Sequence, residues 1–87
     1  MSWQVELSKR AVKESKKIAK SNLKDKTLFL LHLLEENPYQ TPPSYEALVG
    51  NLKGLYSRRI NIQHRLVYQI IEKDKLVKVI SLWTHYE

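Results

Sequence analysis

Three side chains set the chemistry this chain could do: Glu46, Arg65 and His85. A carboxylate can take up a proton, an imidazolium can return one, and a guanidinium can stabilise the charge that builds between those two events. RNA suits such a set, because its ribose 2′-hydroxyl is the nucleophile and the protein need supply no serine, cysteine or metal. What must be supplied is a base for the 2′ proton, a cation for the phosphorane oxygens and an acid for the departing 5′ oxygen. No cofactor is called for. Each residue taken singly has an ordinary reading: Glu46 in PPSYEALVGNL as a solvated carboxylate, Arg65 in HRLVY as an arginine on an open sheet face, His85 in WTHYE as a terminal histidine. The inference rests on the three occurring together in a basic domain.

Neighbouring residues extend the set. Arg58 and Arg59 are adjacent, so in a strand they point to opposite faces and only one can share a face with Arg65. Both are candidate RNA-binding residues, one expected to touch RNA backbone and the other water or a carboxylate. Lys53 and Tyr68 are further candidate RNA contacts. Trp83 and Tyr86 flank His85, where aromatic planes can stack an unpaired base or anchor the end of the chain. Lys9, Lys13, Lys16 and Lys20 recur at spacings of three and four, which on a helix makes a positive ridge suited to phosphates. Fifteen Lys and Arg against nine Asp and Glu give a net charge of +6, which favours polyanions without saying which.

The elements that must position these residues follow from patterning. Eighty-seven residues without cysteine make one domain, 1–87, held by packing rather than disulfides and suited to a reducing cytoplasm. The apolar run Leu28 to Leu34 is far short of the roughly 20 residues a membrane span needs, and the N-terminus lacks a signal peptide's apolar segment, so a soluble chain is expected. WQVEL alternates as a half-buried strand. Ser8 can cap a following helix whose small and apolar stripe is read as Ala11, Val12, Ser15, Ile18, Ala19 and Asn22. Lys24 to Glu36 is apolar around most of a helix, so something must cover the surplus. Asn37-Pro38 ends it, and NPYQTPPS continues as an extended connector. Tyr45 to Leu48 reads as a short helical turn. LYSRRINI, HRLVYQII and LVKVISLW then read as three antiparallel strands, with EKDK as a polar turn. The fold class predicted is α+β: a two-layer β-α-α-β-β-β arrangement with two helices on a mainly antiparallel sheet.

NLKGLYSRRINIQHRLVYQI followed by WTHYE resembles the YoeB/Txe branch of the RelE-like toxins of bacterial type II toxin–antitoxin systems, and the likeness runs from YEALVGNL to the last residue. The resemblance implies a ribosome-dependent endoribonuclease that cleaves the A-site codon of mRNA on the 70S ribosome, leaving a 2′,3′-cyclic phosphate and a 5′-hydroxyl. It also implies neutralisation by a Phd/YefM-type antitoxin. Carried over residue by residue, Glu46 matches the general base, Arg65 the transition-state arginine, His85 the general acid and Tyr86 the adjacent aromatic, with Arg59 and Tyr68 in supporting places. The over-apolar second helix suits cover by an antitoxin or by a second copy in a homodimer. Two departures stand out: Gln63 replaces an acidic residue found before the strand histidine in some relatives, and Glu87 adds negative charge that favours a protonated His85. Two rivals stand beside it: a gyrase-directed toxin of the same fold, which lacks a nuclease site and against which the Glu46, Arg65 and His85 set argues, and a non-catalytic nucleic-acid-binding module in which the same basic and aromatic residues bind without cutting.

Overall fold

Ser8 marks the point where the chain changes period. The computed structural model describes residues 3–84, with side chains as far as Leu82. Before Ser8 lies β1 (Gln4–Leu7); after it runs α1 (Lys9–Ala19). Ser8 is the helix cap, its Oγ accepting from the Ala11 N–H at 3.0 Å and thereby satisfying one of the orphan donors of the first turn. The same hydroxyl donates to the Ile80 carbonyl at 2.7 Å, so one side chain starts the helix and ties it to the sheet. The second helix, α2 (Lys24–Glu36), ends at Asn37 as the following proline requires.

The remaining elements are β2 (Glu46–Ala47), β3 (Leu55–Arg59), β4 (Arg65–Ile71) and β5 (Leu76–Thr84). They form one sheet in the order β1-β5-β4-β3-β2, antiparallel throughout except where β1 runs parallel to β5. The two-layer α+β arrangement is as predicted. Ala11 and Ile18 of α1 and Leu30 and Leu34 of α2 pack with Leu66, Tyr68, Val77, Val79 and Leu82 of the sheet. Each of those leucines is 0% exposed, so Leu30→Ala or Leu34→Ala removes about 2–5 kcal/mol of stability.

Two local readings need correction. Tyr45 to Leu48 is not helical: Glu46 pairs with Ser57 and Ala47 with Tyr56, and the Leu48 N–H bonds to the Leu55 carbonyl at 2.9 Å. Gly50 and Gly54, at φ +68° and +98°, let the chain reverse between the two strands, and edge pairing then overrides the weak helical preference of Glu-Ala. In α1 the inward line runs through Ala11, Glu14 and Ile18, while Val12, Ala19 and Asn22 are exposed. A glutamate replaces an apolar residue on that line because the sheet beneath it presents a polar group, described below. On α2 the apolar surplus is partly open, with Leu28 and Phe29 exposed.

Candidate active site

Strand register alone gathers the polar residues. Glu46 lies opposite Ser57, and Arg59 lies opposite Arg65. Directly opposed residues share a sheet face, as do residues two apart on one strand, so these four lie on the face away from the helices. Their side chains, with Ser44 and Tyr45, line a cleft of about 340 Å³. Arg65 Nη1 donates to Glu46 Oε1 at 2.7 Å. Glu46 is largely exposed and Arg65 mostly covered, so the carboxylate is the more solvated partner.

Two arginines facing each other across a strand pair repel, and a single carboxylate offsets one of them. The cleft therefore keeps a net positive charge and presents planar donor groups in the geometry that phosphate oxygens accept. An ion pair this exposed is worth about 0–1 kcal/mol, so an entering anion can displace Glu46 from Arg65 at little cost. The Ser57 hydroxyl is buried beside the cleft and has no hydrogen-bond partner among the described residues.

Arg58 takes the opposite direction. It is 1% exposed and all its donors are directed inward: Nε to the Tyr68 hydroxyl at 3.1 Å, Nη1 to the Pro43 carbonyl at 2.6 Å and Nη2 to the Pro38 carbonyl at 2.8 Å. Its guanidinium carbon also lies 4.9 Å from the centre of the Tyr45 ring, a cation–π contact. Arg59 thus shares the face with Arg65. The expectation that Arg58 and Tyr68 touch RNA is corrected, since both are sealed against the helix side of the sheet. Burial pushes the Tyr68 hydroxyl up to about 12, with the Arg58 charge and hydrogen bond working against that rise. Arg58 acts instead on the connector: it holds the carbonyls of Pro38 and Pro43 and the ring of Tyr45, the residue before Glu46.

The other side of the site is set by the end of β5. Two irregularities in the β4–β5 ladder, between Arg65 and Tyr68, shift the register so that Thr84 lies opposite Arg65. The Leu82 N–H donates to Glu14 Oε1 of α1 at 2.7 Å, while Glu14 Oε2 accepts from Arg10 Nε at 3.1 Å. That backbone donor is the polar group that brings Glu14 onto the helix's inner line. His85 and Tyr86 follow Thr84 in the chain and lie outside the described residues, as does the side chain of Trp83.

Of the remaining sequence candidates, Lys53 is exposed after the turn at Gly50–Leu52 and does not line the cleft. Lys9, Lys13 and Lys16 are exposed on α1 and Lys20 at its C-cap, in the layer across the sheet from the cleft. Among the described residues no group of three or more His, Asp or Glu is arranged to hold a metal ion. Ser44, Tyr45, Ser57 and Glu14 were not anticipated. For the first three, the only signal was adjacency to Glu46 and Arg58 in the chain.

Residues 12–86 match the family described as the YoeB-like toxin of bacterial type II toxin–antitoxin systems. The chain belongs to this family. It is 41% identical over 58 residues to a YoeB toxin of Synechocystis, a match covering 67% of this chain and 65% of that protein, just under two thirds of its length. It is 33% identical over 75 residues to a YoeB toxin of Escherichia coli, covering 86% and 74%. Two Staphylococcus aureus structures, a YoeB–YefM complex and a YoeB dimer, each contain a chain 31% identical to this one with a TM-score of 0.80, covering 99% of this chain and 100% of theirs. Family membership and the α+β layering thus agree.

Proposed function

We propose that the chain is a ribosome-dependent endoribonuclease, the toxin of its toxin–antitoxin pair, that cuts mRNA in the A site by attack of the RNA's own 2′-hydroxyl. What supports this reading is the pair of opposed arginines, Arg59 and Arg65, with the Glu46 carboxylate 2.7 Å from Arg65 in one open cleft. A phosphodiester entering the cleft takes the guanidiniums and releases Glu46 toward the adjacent ribose. Glu46 accepts the 2′ proton as the 2′ oxygen bonds to phosphorus. Arg65, helped by Arg59, stabilises the negative charge on the phosphorane oxygens. His85 gives its proton to the 5′ oxygen as the P–O5′ bond breaks, with Tyr86 beside it. The products are a 2′,3′-cyclic phosphate and a 5′-hydroxyl, and the proton gained by one residue balances the proton lost by the other.

The Lys9, Lys13, Lys16 and Lys20 ridge meets ribosomal RNA phosphates, while the opposite face addresses the message. A Phd/YefM-type antitoxin is the neutralising partner, by likeness to the YoeB–YefM complex, and a second copy is a further partner by likeness to the YoeB dimer. A cytoplasmic setting follows from the ribosomal target, and among the described residues no helix is long and apolar enough to cross a membrane.

The test is to incubate the protein with programmed 70S ribosomes and map mRNA 5′ ends for wild type, Glu46→Gln, Arg65→Lys and His85→Gln. New A-site ends with wild type, lost in the variants, are the expected result. Absence of new ends with wild type removes the nuclease reading, and inhibition of gyrase in its place would favour the gyrase-directed rival.

A further inference from the structure

Strand β5 carries more residues than β4 can pair. Leu82 and Trp83 stand against the single residue Leu66, and Ile80 falls between the pairs Val67–Ser81 and Tyr68–Val79. A bulged residue is left out of the ladder, so its backbone groups need partners elsewhere, above all where water does not reach them. Leu82 is 0% exposed.

Helix α1 supplies those partners. Its cap, Ser8, gives its hydroxyl to the Ile80 carbonyl at 2.7 Å, and further along the same helix Glu14 Oε1 accepts from the Leu82 N–H at 2.7 Å. Each bulge is thus met by one side chain of α1, a carbonyl by a donor and an N–H by an acceptor. Glu14 is itself held, since its other oxygen accepts from Arg10 Nε at 3.1 Å and its side chain is only 13% exposed. A carboxylate on a backbone N–H makes a strong hydrogen bond, and that N–H would be costly to leave buried without it. The bulge at Leu82 also decides what lies opposite Arg65. Continuing the Val67–Ser81 register without it would set Trp83 there in place of Thr84, and a slip of one residue turns every later side chain to the other sheet face.

We propose that Glu14 is a positioning residue for the cut. From the helix side of the sheet it fixes the bulge at Leu82, and so fixes Thr84 opposite Arg65 as the point from which the chain continues to His85. It lies across the sheet from the cleft and touches no substrate. Its effect on the reaction is exerted through the acid alone, because Glu46, Arg59 and Arg65 are placed by the other strands. This rests on the endoribonuclease reading above, with His85 as the acid for the 5′ oxygen.

The test uses two messages on programmed ribosomes, one ordinary and one with sulfur in place of the bridging 5′ oxygen at the A-site cut. When the 2′ oxygen bonds to phosphorus in the second message, the P–S bond breaks and the thiolate departs without a proton, so no acid is needed. Glu14→Leu is expected to cut the ordinary message on the order of 10²-fold more slowly with KM little changed, and the sulfur message at close to the wild-type rate. Glu14→Gln keeps an acceptor oxygen for the Leu82 N–H and is expected to restore the ordinary rate. His85→Gln should show the same split between messages, and the double variant should be no slower than His85→Gln alone. Equal slowing of both messages by a folded Glu14→Leu would overturn the proposal, as would an ordinary rate unchanged from wild type. Glu14→Asp, which keeps the charge but falls short of Leu82, decides in the same way if Glu14→Leu does not fold. Register is read separately, from the cross-strand nuclear Overhauser contact between Arg65 and Thr84, and its persistence in the slowed variant would overturn the proposal whatever the rates. A wild type that cuts neither message, or a His85→Gln variant slowed equally on both, would instead defeat the endoribonuclease reading or its acid, an outcome visible without any Glu14 variant.

Discussion

Arg58 and Arg59 are consecutive residues of one strand, and they belong to two different regions. On the helix side, Arg58 is enclosed by two proline carbonyls, the Tyr68 hydroxyl and the Tyr45 ring. On the open side, Arg59 and Arg65 face each other with one exposed carboxylate between them and water. The first region is satisfied and dry; the second is left with a surplus of donors. This small sheet uses charge for architecture on one face and keeps it available for a ligand on the other. Burial decides it, because the same guanidinium is a fastener when surrounded by fixed acceptors and an anion site when it is not.

Substitutions on the open side should abolish reaction while sparing the fold. Glu46→Gln is expected to slow mRNA cleavage on programmed ribosomes by about 10²–10⁴, and Arg65→Lys by about 10²–10³ because the planar fork is lost. Cleavage by Glu46→Gln within a few-fold of wild type would break the contrast at its functional end. On the enclosed side the order reverses. Arg58→Met keeps the bulk of the side chain but removes the donors to the Tyr68 hydroxyl and to the Pro38 and Pro43 carbonyls, and should lower unfolding free energy by on the order of 3 kcal/mol in urea titrations. A neutral result there would mean that the connector holds itself.

The contrast also has a pH signature. Tyr68 is buried against the core and its hydroxyl is pushed up to about 12, above the ordinary value of 10. The folded state therefore binds the Tyr68 proton more tightly than the unfolded state does. The stabilisation this gives is complete below pH 10 and is lost as pH rises through 10 toward 12. Stability measured against pH should thus fall more steeply over that window in wild type than in Tyr68→Phe, with tyrosinate absorbance tracking the ionisation. The smallest effect belongs to the Glu46–Arg65 pair: Glu46→Gln should shift unfolding free energy by no more than about 1 kcal/mol, since the pair is exposed.

Much of the fold could be read from the residues. Ser8 as a cap, Asn37-Pro38 as a stop and the alternation of LYSRR, RLVYQII and LVKVISLW each encode their structure locally, so the helices and the three-stranded meander were legible. Alternation also said that Arg58 and Arg59 must part. It could not say which of them the connector covers, because that depends on residues fifteen to twenty positions away, Pro43 and Pro38. For the same reason nothing local in HRLVY tells that Tyr68 is sealed in the core rather than open to RNA. Glu46-Ala47 looked helical because its strand exists only through pairing with β3, and edge pairing leaves no periodic trace in two residues. Glu14 was hidden among the lysines of α1, since its reason for facing inward is the Leu82 N–H on β5. Glu46 and Arg65 each read as ordinary surface residues when taken singly, and it is strand register and the Glu46–Arg65 hydrogen bond that put them in one cleft.

The account depends on the message supplying its own nucleophile to a phosphate held between Arg59 and Arg65. The most direct measurement is therefore cleavage of an A-site codon carrying a single 2′-deoxyribose on the 5′ side of the normal cut, with the product ends identified by mass spectrometry. The account predicts that the all-ribose message yields a 2′,3′-cyclic phosphate and that the 2′-deoxy substitution abolishes cutting at that bond. Cleavage of the 2′-deoxy message at an undiminished rate would contradict it.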